Sequence, residues 1–493
     1  MTDDDRFSAG RLAKVELLRA LGVDPYPAAA FSPTETISEV VANGEDGVGD
    51  SVRVAGRLLS IRSGGGLTFA DLSGQGEVVQ LMFDNSQMNG MSSEIVPLLS
   101  TADIVGCDGE MTLSRRGQLS IMVSEVTVLC KPVIDSPIAR ATKDRVRVGG
   151  MKDAGELRRA RHIELMNDET ARNRFIVRSQ IIQEIRAIMA ENDFLEVDTP
   201  ILSPFYGGAA ADPFLTRINV FDEQWFLRIS PEMDLKRALV AGFDRVYSLG
   251  SNFRNEGIDR SHQCEFTMIE FYQGYSDYME QMELLEGMVE RVCEVVHGTT
   301  SITYGGRAID FATPWPRVRI IDAVSDATGV AVGHLESLDE AGMQALFSDH
   351  GIEIPDGVFD WGVAVMALYE ELAEEGLSWD PVHIIDYPRS VCPLTKPHRD
   401  NPLYSERYES MVAGMEIANS YSEQNDPVQQ RELLSSPSKH GFASDSHFLD
   451  AIDCGMPQAG GTGMGIDRVV MIMTDTHSIQ DVVLFPITKR DVD

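Results

Sequence analysis

At 493 residues, 43% hydrophobic and 24% charged, the chain is long enough for two to four domains of roughly 100–200 residues each. Asp and Glu outnumber Lys and Arg by 77 to 42, a net charge of −35, and only eight of the bases are lysines. No apolar run reaches the ~18 residues of a membrane span, and the acidic start Met1-Thr2-Asp3-Asp4-Asp5 is unlike a secretory or mitochondrial leader. Six scattered cysteines with no CxxC and no zinc spacing read as reduced thiols in a cytoplasmic protein. So acidic a surface repels itself and polyanions in dilute buffer, a repulsion that ~1 M salt screens to about 3 Å. A salt-adapted cytoplasm accounts for that balance; a merely acidic protein is the alternative.

In chain order, residues 1–50 predict a helix from Arg11 to Leu21, stopped by Gly22, with Leu12, Val15, Leu18 and Leu21 as its packing stripe. Residues 51–134 predict a small β-barrel of the oligonucleotide-binding type, from the runs Val52–Ile61, Leu67–Leu72, Val78–Phe83, Ile104–Leu113, Leu119–Val123 and Val126–Cys130. This stretch carries six bases against eight acids, −2 over 84 residues, where the chain average gives about −6. That relief suits a nucleic-acid face, with Arg57, Arg62 and Arg115 for phosphate and Phe69 as a stacking platform, although Phe69 reads equally well as core. Residues 135–150 read as a linker. Residues 151–493 alternate amphipathic helices and β-runs without a βαβ rhythm, a Walker motif or a strand–GxGxxG–helix, so the fold class is α+β. Residues 317–380 turn helical and acidic, as an insertion would.

Phe175, Arg178, Ile181, Ile182, Ile185 and Ile188 recur at helical spacing, and Phe194–Pro200 reads as a proline-ended strand. The candidate chemistry lies on three strand segments. Past Arg254, Glu256 and His262, the run Glu265–Tyr272 alternates, which puts Phe266, Met268, Glu270 and Tyr272 on one face. A carboxylate among aromatics calls for a cation opposite Glu270. Residues 407–419 read as a hairpin turning at Ala413-Gly414, on which Glu409 and Glu416 face each other and suit Mg²⁺. Beyond them Asn419, Tyr421 and Glu423 form a polar, aromatic and acidic row. A glycosidase acid/base pair is a rival reading, but it leaves Arg254 and Arg468 without a role. Last, Gly460–Arg468 is a glycine-rich strand that opens a helix, with Arg468 free to lie on a base or phosphate.

These pieces in this order resemble the three signature motifs of class II aminoacyl-tRNA synthetases, and most closely the lysyl-tRNA synthetases. The resemblance rests on Gly207-Gly208-Ala209-Ala210, Glu232 in Ser-Pro-Glu-Met-Asp-Leu-Lys-Arg, Phe253-Arg254-Asn255-Glu256-Gly257, Glu265-Phe266-Thr267, Glu416-Ile417-Ala418-Asn419, Gly463–Arg468 and Asp481–Pro486. It covers nearly the whole chain. It implies an antiparallel sheet flanked by helices, a homodimer formed partly through the Pro200 strand, and an N-terminal barrel that binds the anticodon of tRNA(Lys). It further implies that Arg254 grips the ATP α-phosphate and the lysine carboxylate, and that Glu256 and His262 hold the nucleotide. Adenine would lie between Phe266 and Arg468. Glu409 and Glu416 would ligate Mg²⁺, with up to three ions in all. Gly208 and Glu232 would meet the lysine α-amino group. Glu423 and Tyr272 would meet the ε-ammonium, with Glu270, Asn419 and Tyr421 nearby. On the barrel, Phe69 would stack on a base beside Arg62 and Gln80.

The implied reaction is ATP-dependent activation of L-lysine to lysyl-adenylate, followed by transfer to the 3′ end of tRNA(Lys). The acidic row argues for lysine over aspartate or asparagine by charge complementarity. Gln263-Cys264 after His262, where the family usually has Asn-Pro, is a departure, as are Cys392, Thr395 and Gly74. Two alternatives stand beside this reading. A relative that lysylates a protein or lipid is disfavoured by the barrel. A non-catalytic paralogue is disfavoured because Arg254, Glu409, Glu416 and Arg468 are all present.

Overall fold

A computed structural model describes residues 7–64, 66–134, 140–141, 147–148, 153–205, 207–208, 211–353, 357–374, 379–435 and 445–489. Most of the expected linker 135–150 lies outside these, as do Gly65, Ala209, Ala210 and parts of the 317–380 segment. The chain divides into two compact units, Met1–Arg172 and Asn173–Asp493.

In the first unit, α1 (Ala9–Ala20) ends where Gly22 takes a positive φ of 78°. Val15 and Leu18 are buried as expected, but Leu12 is exposed; the stripe instead takes in Arg11, whose guanidinium donates to the Thr101 carbonyl. Five strands close the barrel in the order β1 (Ser51–Gly64), β2 (Leu67–Gly74), β3 (Glu77–Asp84), β5 (Leu119–Cys130), β4 (Ile104–Leu113), with β3 and β5 parallel. The two runs at 119–123 and 126–130 are one strand. A register shift opposite Asp108/Gly109 leaves Ser124 as an extra residue, and that bulge bends β5 round the barrel. Alternation fills the interior with Val54, Leu58, Ala70, Leu72, Leu81, Val105, Ile121 and Val123.

The second unit is built on an eight-stranded sheet. In chain order its strands are β6 (Leu195–Glu196), β7 (Arg245–Phe253), β8 (Glu265–Gly274), β9 (Arg317–Arg319), β10 (Val382–Ile385), β11 (Arg407–Val412), β12 (Met415–Ser422) and β13 (Ala459–Gly465). Their spatial order is β9-β10-β11-β12-β13-β8-β7-β6, antiparallel except at the two edges. Arg317–Arg319, read as the start of the helical insertion, is thus one of the sheet's two edge strands; the helices follow from Ile320 and bury a core of their own around Val324, Phe347 and Leu368. The expected strand 194–200 pairs over only two residues. One face of the sheet packs on the helices Glu169–Glu191, Tyr278–His297 and Ile466–Met473 through Ile181, Ile185, Met282, Leu285, Val469 and Ile472. The side chains of alternate residues on β8 and β12 point the other way, into the cavity, across the glycines of β13.

Candidate active site

The cavity holds about 480 Å³, and every cavity-facing residue expected on β8 lines it: Phe266, Met268, Glu270 and Tyr272. The neighbouring strand β13 contributes almost no side chains. A Cβ on Gly461 would stand 2.2 Å from Glu423 Oε1 and 2.4 Å from Tyr272 Cε1, and one on Gly463 would stand 3.0 Å from Met268. These glycines therefore give room to the pocket's own side chains as much as to a ligand.

At one end, acids converge. Glu232 opens the helix Glu232–Val240; its backbone N–H donates to Ser230 Oγ (3.0 Å), and that hydroxyl donates to Glu270 Oε1 (2.7 Å). Tyr272 donates to Glu270 Oε2 at 3.2 Å, and Tyr421 to Glu232 Oε1 at 2.8 Å. Among the described residues no side-chain cation is bonded to Glu270. Burial and the neighbouring charge of Glu232 instead push its carboxyl up to about 7, against the pull of the Ser230 bond. Glu423, just beyond β12, is fully buried behind Tyr272 and Gly461 and does not itself line the cavity. Its partner is Lys236, whose ammonium also sits 2.5 Å from Glu232 Oε1. Burial pushes the Glu423 carboxyl up, and Lys236 pulls it back. Lys236 lies in the Ser-Pro-Glu-Met-Asp-Leu-Lys-Arg segment and carries no role expected from sequence. A glutamate four residues before a lysine normally marks a solvent-exposed helical pair, and nothing local signals that this one is buried. Gly208, at a positive φ of 85°, lines the cavity beside Ser230.

At the other end, arginines gather. Arg254 follows β7, its guanidinium 5.1 Å from the Phe266 ring and its buried Nε without a hydrogen-bond partner. Arg468 is aimed by its neighbour Asp467, which accepts from Thr267 N (2.7 Å) and from Arg178 Nη1 (2.5 Å) and so ties the helix start to β8. Arg468 rests on the Glu416 carboxylate at 3.3 Å and on His262 Nε2 at 3.2 Å, while Asp259 holds the other imidazole nitrogen at 2.9 Å. Glu256 lines the same mouth. So does Gln263, which is buried with both amide atoms unpaired.

Between the ends lies the hairpin, turning at Ala413-Gly414 with positive φ at both residues. Glu409 pairs across the strands with Asn419, and Glu416 with Met411, so the two carboxylates are offset rather than directly opposed. A bulge at Ile417 does what plain alternation could not: it puts Glu416 and Asn419, three residues apart, on one face. Burial raises the Glu409 carboxyl; Arg407, 2.5 Å away, opposes this, and Glu416 adds to it. Among the described residues no three His, Cys, Asp or Glu side chains form a metal cage. Two carboxylates and the unpaired Asn419 Oδ1 fit a hard cation that completes its shell with phosphate and water.

On the barrel, Arg62 and Phe69 are directly paired on β1 and β2, and Asp71 and Gln80 on β2 and β3, so all four share the outer face. Arg62 reaches Asp71 at 3.2 Å; Gln80 is buried against Gln118 and Ser120.

Residues 154–489 match the family described as tRNA synthetases class II (D, K and N), and residues 52–129 match an OB-fold nucleic acid binding domain. The chain is 38% identical over 488 residues to a lysine–tRNA ligase of Clostridium perfringens, covering 97% of this chain and 95% of that one. Against lysine–tRNA ligases of Chloroflexus aurantiacus and Carboxydothermus hydrogenoformans the identities are 39% and 36%, over 97% of each chain. The chain belongs to the class II lysine–tRNA ligases. The matched span takes in both ends of the cavity and all five barrel strands apart from their outermost residues. No helix among the described residues is long and apolar enough to cross a membrane.

Proposed function

We propose that both steps of lysine–tRNA ligation run in this cavity, the acidic end taking the amino acid and the arginine end the nucleotide. The activity is that of the family: ATP-dependent activation of L-lysine and charging of tRNA(Lys). What carries the assignment of the ends is the burial of Glu232, Glu270 and Glu423 around one side of the cavity while Arg254 and Arg468 stand at the other. A buried carboxylate at pKa about 7 is a poor resident but a good receptor for an ammonium ion.

In this reading Glu232 and the Gly208 carbonyl receive the α-ammonium, while Glu270 and Tyr272 receive the ε-ammonium, with the charge of Glu423 behind them and Asn419 and Tyr421 beside them. Arg254 holds the lysine carboxylate against the ATP α-phosphate. A carboxylate oxygen attacks the α-phosphorus in line, the bond to the bridging oxygen breaks, and pyrophosphate leaves with the electron pair. Arg254 and Arg468 face the charge that builds on the phosphoryl oxygens. The adenine takes the Phe266 face, with Glu256, His262 and the unpaired Gln263 amide at its edge. Glu409 and Glu416 would hold Mg²⁺, which when bound neutralises the triphosphate. In the second step the tRNA 3′-hydroxyl attacks the lysyl carbonyl, AMP departs with the bonding pair, and the hydroxyl proton passes to the departing phosphate. Phe69, Arg62 and Gln80 are assigned to the anticodon. The working unit is a homodimer, supported by apolar side chains left bare around the Pro200 segment, among them Leu195, Ile201, Leu202 and Phe221. Six free cysteines support a cytoplasmic setting.

ATP–pyrophosphate exchange with each of the twenty amino acids in turn tests the reading. Exchange that depends on lysine is expected, and equal exchange with aspartate or asparagine would refute it.

A further inference from the structure

Three carboxylates crowd one end of the cavity, and all are withdrawn from water: Glu232 is 2%, Glu270 4% and Glu423 0% exposed. Three such groups cannot all ionise together without a counter-charge. Lys236 supplies one. It is itself fully buried, 2.5 Å from Glu232 and paired with Glu423, with the Tyr421 ring 5.4 Å and the Phe448 ring 5.9 Å from its nitrogen. Burial alone opposes its charge, but the two glutamates overcome this and hold it protonated. Among the described residues no other cation forms an ion pair with these acids, although the charge of Arg228 acts on Glu270 at longer range. Arg228 is bonded to the Thr199 and Ser251 carbonyls and also answers Asp234, and Arg254 stands where the substrate carboxylate arrives.

Among directly paired groups, three carboxylates and one ammonium leave a formal charge of −2. Free lysine brings two ammonium groups, and its carboxylate is matched by Arg254. The choice of residue is also informative. In a chain with 34 arginines and eight lysines, the slot between Glu232 and Glu423 holds a lysine, whose compact head can bridge two acids where a planar guanidinium fork demands more room.

We propose that Lys236 is a positioning residue that sets substrate charge: it cancels one of three buried carboxylates so that the two remaining charges match lysine's two ammonium groups. The proposal rests on the reading of this cavity as the lysine site. It makes Glu423 and Lys236 act as a pair, so a charge-paired mutant cycle in ATP–pyrophosphate exchange tests it. Glu423→Gln leaves −1 and Lys236→Met leaves −3, and each should raise the lysine KM about tenfold or more. The double variant restores −2 and should lie closer to the wild type than either single variant, within about threefold. The ATP KM should hold in all three, and the Lys236→Met defect should shrink as pH falls and one surplus acid takes up a proton. A merely structural lysine predicts the reverse: losses that add or compound in the double variant, an ATP KM that moves with them, and no dependence on pH. That pattern would overturn the proposal. Should Lys236→Met alone fail to fold, comparing Glu423→Gln with the double variant still decides, because the double variant carries no surplus carboxylate. Wild-type enzyme without lysine-dependent exchange would overturn the reading of the site and this proposal with it. Lysine-dependent exchange with an additive cycle would remove the proposal and leave that reading standing.

Discussion

At the acidic end of the cavity every ionisable group is buried and already engaged: Glu232 with Lys236 and Tyr421, Glu270 with Ser230 and Tyr272, Glu423 with Lys236. On the outer face of the barrel, Phe69 is only half-buried and Arg62 keeps 57% of its side chain in water, tied loosely to Asp71. The first region can discriminate strongly, because a wrong ligand leaves a buried charge unanswered, at a cost of about 3–5 kcal/mol. The second gains by stacking and screened charge, each about 1–3 kcal/mol or less per contact. On the proposed reading, chemical identity is therefore read where water is absent, and a polymer is held where water remains.

That contrast sets the expected sizes of perturbations. Arg254→Ala should be the most damaging, removing at least about 10³-fold from pyrophosphate exchange, because the proposed reading gives this one side chain both the carboxylate and the phosphate; exchange near the wild-type rate would break the assignment. Gly461→Ala should raise the lysine KM by about 30-fold or more, since its Cβ would stand 2.2 Å from a buried carboxylate oxygen. Lysine and ATP affected equally would mean that the glycine serves the fold rather than the pocket. Changes of pH should reach the same end more gently. The Glu270 carboxyl, raised to about 7, is neutral below that pH in the empty site and must ionise to receive an ammonium. The lysine KM should therefore climb up to about tenfold per unit as pH falls below 7, and level off above it. A lysine KM that stays flat from about pH 6 to about pH 8 would contradict this. The mildest change is Phe69→Ala, which should cost tRNA charging ~1 kcal/mol and leave pyrophosphate exchange untouched. Equal losses in both assays would erase the distinction between the two regions.

Much of this was legible in the sequence where the physics is local. Period-two alternation was enough to put Phe266, Met268, Glu270 and Tyr272 on one wall, and glycine and turn signals marked the barrel strands and the Ala413-Gly414 hairpin. What escaped depends on distant partners. The Ile417 bulge, which brings Glu416 into line with Asn419, has no residue signature. Ser124 likewise joins two runs into one strand only because β4 lies across from it. Leu12 is left exposed because the buried stripe takes in Arg11 instead, whose carbonyl partner lies ninety residues on. The burial of Lys236 requires Glu423, far along the chain, to arrive at the same point.

The most direct test compares lysine with norleucine, which keeps the chain but lacks the terminal nitrogen, as substrates for pyrophosphate exchange. A site built around a buried ammonium predicts a kcat/KM at least about 10⁴-fold lower for norleucine. A norleucine value within about tenfold of lysine, the discrimination a plain apolar pocket gives, would contradict the account.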